Sequence, residues 1–433
     1  MSGILYSQDS TGFLDLDMLK RRGSGDLKEE TNDLGYFACS VLDFSGAPTI
    51  LPKKTKFGIL LYNSSTKKID SENHTQWDCD NLDDNLNNTI DFVKEICGSY
   101  AFIYVTERHV VFGVDHFENK NLWFHHHQDT RTLTIASVPN LVKQKHGSAW
   151  KVFENKIYIV DKQDFSIKIQ TNRIFDLTQK TNNFDLVFEN LELAVKNSYY
   201  PNESVSLLSS GLDCGVINCA IQKIFGEVDC LADPQKEVFD VLKDRVKLHR
   251  ARLLPNLQGH QVEKEKIFND LLPNNEVWDV PMTNPVINLI KNGVKKRKKK
   301  IVIVGTGGDE IYNDRHGQMS GHSFAKTNGS FPDCLETVWP WHNYSSQLRL
   351  MNMRFDFITG YFGVEANYPL TDVGLVQAWL NTTQRLKNEY KLWMKEYLLQ
   401  EKYPFTMEKV HSFNDRYKPE LWKHIDKNYH LHS

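Results

Sequence analysis

Two apolar runs, each closed by a glycine- or serine-rich turn and an acidic residue, constrain this chain more than any other feature. The first is Ser204-Val-Ser-Leu-Leu-Ser209-Ser210-Gly211-Leu212-Asp213, and the second is Ile301-Val-Ile-Val-Gly305-Thr306-Gly307-Gly308-Asp309-Glu310. Short apolar runs bounded by such turns read as buried strands. At each strand end, N–H groups freed by glycine or serine lie beside a carboxylate, an arrangement suited to holding polyphosphate together with magnesium. The pair predicts ATP and Mg2+ as ligands.

The rest of the chain must supply a scaffold for those turns. Its 433 residues, 40% hydrophobic and 12% aromatic, suffice for a sizeable core divided between two domains. A formal net charge of -3 gives no electrostatic reason to expect nucleic acid or an acidic membrane as partner, and favours small substrates. Seven scattered cysteines without a C-x-x-C pair predict reduced thiols and no structural zinc. No uninterrupted apolar stretch approaches the roughly 18 residues of a membrane helix. Met1-Ser2-Gly3-Ile4 leads into polar sequence, not a signal peptide, so the expectation is a cytoplasmic protein without a membrane partner.

Residues 1–175 read as β-rich, with short apolar runs at 35–41, 57–62, 99–105, 110–114, 133–136 and 156–160. Their spacing predicts stacked antiparallel sheets. A helical pattern at 184–198 opens a second domain, 184–433, in which strands at 204–208, 228–231 and 301–304 alternate with helices at 214–224 and 234–250. That alternation predicts a parallel α/β sheet. Helical periodicity and aromatic residues from about 345 onward predict a helical C-terminal cap packed on it.

Taken alone, the first turn reads equally well as a strand-to-helix turn with a capping serine. It lacks the lysine and spacing of a Walker loop. Its Ser209-Ser210-Gly211-Leu212-Asp213-Cys214 resembles the Ser-Gly-Gly-x-Asp-Ser pyrophosphate loop of the N-type ATP pyrophosphatases, with Ser210 and Cys214 as substitutions. The second turn resembles the Gly-x-Gly-x-Asp-Glu segment of the asparagine synthetases. Pro281-Met-Thr-Asn284-Pro285 resembles a substrate-side segment of those enzymes, and Gly363-Val-Glu365-Ala-Asn-Tyr-Pro369-Leu-Thr-Asp372 their Gly-x-Glu-x-Arg-x-Pro-Phe-Leu-Asp block, with Arg354 just upstream. Lys391 resembles the lysine that opens the next family helix. A further lysine, which neutralises the reacting phosphate, falls near Lys409.

The N-terminal half is similar to the class II glutamine amidotransferase domain of the same family, a sandwich of the N-terminal-nucleophile-hydrolase type. Arg21-Arg22-Gly23-Ser24-Gly25-Asp26 resembles its Arg-Gly-Pro-Asp, and Asn63-Ser64 its Asn-Gly. Gly98-Ser-Tyr-Ala-Phe102 and the segment from Phe112 through Asp115 to Leu122 resemble two of its strands. Glutamine hydrolysis in this family uses a cysteine at position 2, where this chain has Ser2. A serine activated by its own α-amine is a weaker nucleophile than a thiolate, and Ser64 replaces the glycine of the oxyanion-type pair. The expectation is therefore a degenerate glutaminase domain, as in β-lactam synthetase and the lasso-peptide cyclases.

The resemblance implies an ATP-dependent amide-forming ligase that adenylates a small-molecule or peptide carboxylate and transfers it to ammonia or an amine. Asp213 and Asp309 would hold magnesium. Ser209, Ser210, Gly211, Asp213, Cys214, Gly305, Gly307 and Asp309 would surround the nucleotide, and Lys391 and Lys409 would stabilise the transition state. Thr306 stands where asparagine synthetases carry glutamate, so Glu365 becomes the alternative source of a catalytic carboxylate. Two other readings stay open: a glutamine-hydrolysing asparagine synthetase with Ser2 as nucleophile, and an inactive homologue serving as a binding or scaffold protein. A homodimer is compatible with either. Blander readings fit Lys295–Lys300 as a charged linker, His125–His127 as strand histidines that cannot all face one metal ion, and Trp339 as packing in the cap.

Overall fold

The computed structural model describes residues 3–9, 14–23, 26–42, 51–68, 86–94, 96–154, 156–171, 175–232, 237–253, 283–312, 331–337, 339 and 348–406. They divide into two compact units. One holds the described residues of 1–174 with Arg349–Glu365; the other holds those of 175–259, 284–348 and 366–433.

The first unit is built from two six-stranded antiparallel sheets. In chain order its elements are β1 (Gly3–Ser7), α1 (Asp17–Arg21), β2 (Lys28–Asn32), β3 (Gly35–Ser40), β4 (Lys53–Lys54) and β5 (Gly58–Lys68). Then come α2 (Leu86–Lys94), β6 (Ile96–Thr106), β7 (His109–Val114), β8 (Trp123–His127), β9 (Thr132–Ala136), α3 (Pro139–His146), β10 (Trp150–Lys151), β11 (Lys156–Asp161) and β12 (Ile167–Thr171). One sheet runs β10-β8-β9-β1-β3-β2, the other β12-β11-β7-β6-β5-β4. Alternating side chains from both, among them Ile4, Tyr6, Phe37, Leu60, Tyr62, Tyr100, Phe112 and Ile135, interdigitate in one buried cluster. The predicted stacked antiparallel sheets are therefore observed. β1 and β3 are buried along their whole length because α1 packs on the outer face of their sheet.

The second unit contains α4 (Asp185–Ser198), β13 (Ser204–Leu207), α5 (Leu212–Phe225), β14 (Asp229–Ala232), α6 (Phe239–Leu248), β15 (Arg250–Leu253) and α7 (Thr283–Asn288). A wider helical turn, Leu289–Val294, leads from α7 toward β16 (Ile301–Ile303). The long helix α8 (Arg349–Tyr361) lies in the first unit and is followed by β17 (Glu365–Asn367), α9 (Val373–Leu380), α10 (Gln384–Lys387) and α11 (Leu392–Gln400). The sheet order is β15-β14-β13-β16-β17, with β13 parallel to both β14 and β16. Val205, Cys230 and Val302 are buried, and so are Ser204 and Ser206 on the opposite face of β13, as expected of strands covered on both faces. The helix expected over 234–250 begins only at Phe239.

One element departs from the predicted cap. α8, which periodicity had placed on the parallel sheet, groups with the antiparallel sandwich. Its buried polar residues explain this, since Asn352 donates to the Phe117 carbonyl at 3.1 Å and to Asn119 Oδ1 at 2.8 Å. Periodicity finds a buried face but not the surface it meets. Cys39, Cys214, Cys219, Cys230 and Cys334 are free thiols. No helix among the described residues is long and apolar enough to cross a membrane.

Candidate nucleotide site

The strand order fixes where the two motifs meet. From β13 the chain moves through β14 to β15 on one side, then returns to place β16 on the other. Neighbouring parallel strands whose connections diverge in this way open a crevice beyond their carboxyl ends, which is where open α/β sheets bind ligands. Both glycine turns lie there, directly after Leu207 and Ile303.

The first turn runs into α5, whose start presents free N–H groups and the positive end of the helix dipole. Ser209 Oγ accepts from the Gly211 N–H at 3.2 Å. In the second turn Gly307 has φ of 100°, a conformation that excludes ordinary side chains, and its N–H donates to Glu310 Oε2 at 2.9 Å. A Cβ on Gly305 would lie 3.4 Å from both Asp213 Cβ and Cys214 Sγ, and one on Gly308 only 2.3 Å from Asp213 Cγ. The glycines thus let the second turn close directly on the acidic residue of the first.

Asp213 and Asp309 converge on a single cation. Lys391 Nζ lies 2.6 and 2.8 Å from the two carboxylate oxygens of Asp213 and 2.5 Å from Asp309 Oδ1. Lys391 is buried and sits at positive φ just before α11, so the backbone aims it inward. Burial, opposed by Lys391 and reinforced by Asp309, pushes the Asp213 carboxyl up to about 6. Burial disfavours the Lys391 ammonium, but the two carboxylates outweigh it and hold this amine well above its ordinary range. Burial also pushes the Cys214 thiol up to about 11, so it stays protonated beside Ser209.

Two residues that the motifs did not identify shape the first turn. Arg245 of α6, fully buried, donates from Nη1 to the carbonyls of Ser209 and Gly211, the latter at 2.9 Å, and from Nε to Pro404 O at 2.8 Å. Glu237 accepts from both the N–H and the Oγ of Ser210. Arg245 did leave a trace in the sequence. It shares the buried face of α6 with Val241, Leu242 and Val246, where a charge is out of place unless it has partners. Nothing comparable marks Glu237.

Most of the remaining predicted residues lie elsewhere. Glu365 is buried in the first unit, where its carboxylate pairs with Lys120. Thr306 Oγ1 is buried and has no hydrogen-bond partner among the described residues. Ser2 and Lys409 lie outside the described residues, as do Pro281 and Met282 of the substrate-side segment. His125 stacks between His146 and Trp150, Trp339 meets Phe175 edge-on, and Arg297 and Lys299 pair with Asp229. Among the described residues no group of three or more His, Cys, Asp or Glu side chains could hold a metal.

No family model and no curated protein matches the chain. Among solved structures it is similar to the glutamine phosphoribosylpyrophosphate amidotransferase from B. subtilis complexed with ADP and GMP. The identity is 11%, over 88% of this chain and 92% of that one, with a TM-score of 0.32. A structure described as the allosteric regulatory enzyme of purine biosynthesis is 9% identical over 96% of this chain and 98% of that one, with a TM-score of 0.31. At such scores neither likeness decides the fold or the activity.

Proposed function

We propose that the chain is an ATP-dependent amide-forming ligase, adenylating a carboxylate with release of pyrophosphate and passing the acyl group to ammonia or an amine. The observation that carries this reading is the convergence of Asp213 and Asp309 on Lys391 at the switch point of a parallel sheet. Two carboxylates already gathered around one cation suit a divalent ion that takes one or two carboxylates and completes its shell with phosphate and water. Asp213 and Asp309 would hold magnesium, which when bound supplies positive charge at the phosphate oxygens.

The residues of the chain have distinct tasks in this reading. Ser209, Ser210 and Gly211 offer N–H and hydroxyl donors to the departing pyrophosphate at the start of α5. Lys391, held between Asp213 and Asp309, would direct its ammonium to charge developing on the phosphate. Lys409 would supply a second ammonium, and Cys214, a neutral thiol, contributes volume and a weak donor. Glu365, paired with Lys120, is a poor general base as long as that pair persists. The first unit is proposed to have no glutaminase step, because Ser2 replaces the required cysteine and Arg22 is buried against Asp356.

Pyrophosphate release from magnesium ATP and aspartate, with ammonium or glutamine as nitrogen source, tests the reading. Turnover with ammonium that is abolished by Asp213→Ala and unaffected by Ser2→Ala supports it. Glutamine turnover lost in Ser2→Ala would restore the glutaminase, and ATP binding indifferent to Asp213→Ala would remove the nucleotide site altogether.

A further inference from the structure

Ser210 is one of the residues whose donors would face a pyrophosphate at the start of α5, and it is already engaged. Its N–H and Oγ converge on one carboxylate oxygen of Glu237, while the Val238 N–H donates back to Ser210 Oγ at 2.9 Å. A backbone N–H and a hydroxyl pointing at one anionic oxygen are the donor set by which a helix start grips phosphate. A second observation concerns the opposite face of the turn. The fully buried Arg245 binds the carbonyls of Ser209 and Gly211 through Nη1, and its Nη2 has no hydrogen-bond partner among the described residues. Arg245 therefore fixes the carbonyls on its own side, leaving the Ser210 N–H directed at Glu237, and keeps a positive charge beneath the seat.

We infer that Glu237 is an internal competitor for the polyphosphate seat, its carboxylate occupying the Ser210 donors until magnesium-bound pyrophosphate or ATP displaces it. The inference rests on the nucleotide reading above and adds regulation to it. Binding becomes an exchange of one anion for another at Ser210, beside the Asp213 and Asp309 carboxylates that would hold magnesium. The empty site thus has the Ser210 donors and the Asp213 and Asp309 carboxylates already engaged, and its affinity is set by how often Glu237 lets go. A plugged state outnumbering the open one by about ten to one weakens apparent affinity about tenfold. A residue that merely braced the turn would act in the opposite direction, and its loss would loosen binding.

Calorimetric titration of the full chain with magnesium pyrophosphate separates the two roles. Glu237→Gln and Glu237→Ala are expected to bind about tenfold more tightly than wild type. Asp240→Asn, which removes a charge from an exposed position of α6, is expected to leave affinity unchanged. Glu237→Gln preserves side-chain volume and one acceptor oxygen, and thermal melts show whether each variant is folded, so it carries the test should the alanine variant unfold. Equal or weaker binding by the Glu237 variants, with wild-type binding intact and lost in Asp213→Ala, overturns the competitor role and leaves the nucleotide site standing. Equal tightening in Asp240→Asn overturns it too, by tracing the effect to net charge. Absence of binding in every protein overturns the inference and the nucleotide reading together.

Discussion

Arg22 and Asp356 form an ion pair at 2.8 Å in which neither side chain is exposed, although 334 residues separate them. Asp356 Oδ2 also accepts from Asn121 at 2.9 Å, so α8 is fastened to the sandwich by a buried carboxylate with two donors. Removing one partner strands a charge in a dry interior, which costs far more than removing both. Arg22→Met is expected to lower the unfolding free energy by about 3–5 kcal/mol, and Arg22→Met with Asp356→Leu to restore a large part of it. Urea denaturation of the two proteins decides this. A double variant no more stable than the single one would show that the pair contributes through packing alone.

Gly308→Ala should separate binding from stability. The added methyl would sit 2.3 Å from Asp213 Cγ and must push that carboxylate off the second turn. Magnesium-dependent ATP binding is expected to weaken at least tenfold, about 1.4 kcal/mol. Retention of wild-type affinity would mean that Asp213 does not need its observed position to bind.

Lys391→Met removes the side chain that bridges Asp213 and Asp309. Turnover is expected to fall about 100-fold or more, the effect of deleting one charge-stabilising donor, with a smaller change in ATP affinity. A loss confined to affinity would assign Lys391 to holding substrate instead of to the chemical step.

Glu118 gives the first unit a pH dependence of definite sign. Burial, opposed by Lys151 at 2.9 Å, raises its carboxyl to about 7. A carboxyl with a folded pKa above its unfolded value takes up a proton on folding between the two, so its contribution favours the fold at acid pH and is lost as pH rises through about 7. Unfolding free energies measured between pH 5 and 8 should decline for wild type relative to Glu118→Gln. Parallel profiles would show that the carboxylate is fully stabilised by Lys151 and Arg349.

The sequence made the strands and the turns legible, because their signals are local. β3, β6, β7, β9 and β11 each fall on an apolar run, and β13 and β16 lie where a short, largely buried run precedes a glycine turn. β2 was missed because Lys28–Asn32 is polar and almost wholly exposed, an edge strand without the alternation that marks a covered face. Lys391 was legible only by resemblance, since its approach to Asp213 depends on a positive-φ residue before α11. Arg245 acts on the carbonyls of Ser209 and Gly211, and Glu237 on the Ser210 N–H as well as its hydroxyl; backbone partners impose no residue type that a motif could record.

The place of α8 sets an order of assembly. A ribosome that has made the strands of the sandwich has not yet made Asn352, Asp356 or Arg349, the side chains that meet Phe117, Asn119, Arg22 and Glu118. Domains usually settle one after another from the amino terminus. Here the first unit must wait with buried charges unmatched while most of the second is synthesised, so a fragment ending near residue 175 would expose a carboxylate-hungry arginine where the full chain has a sealed core.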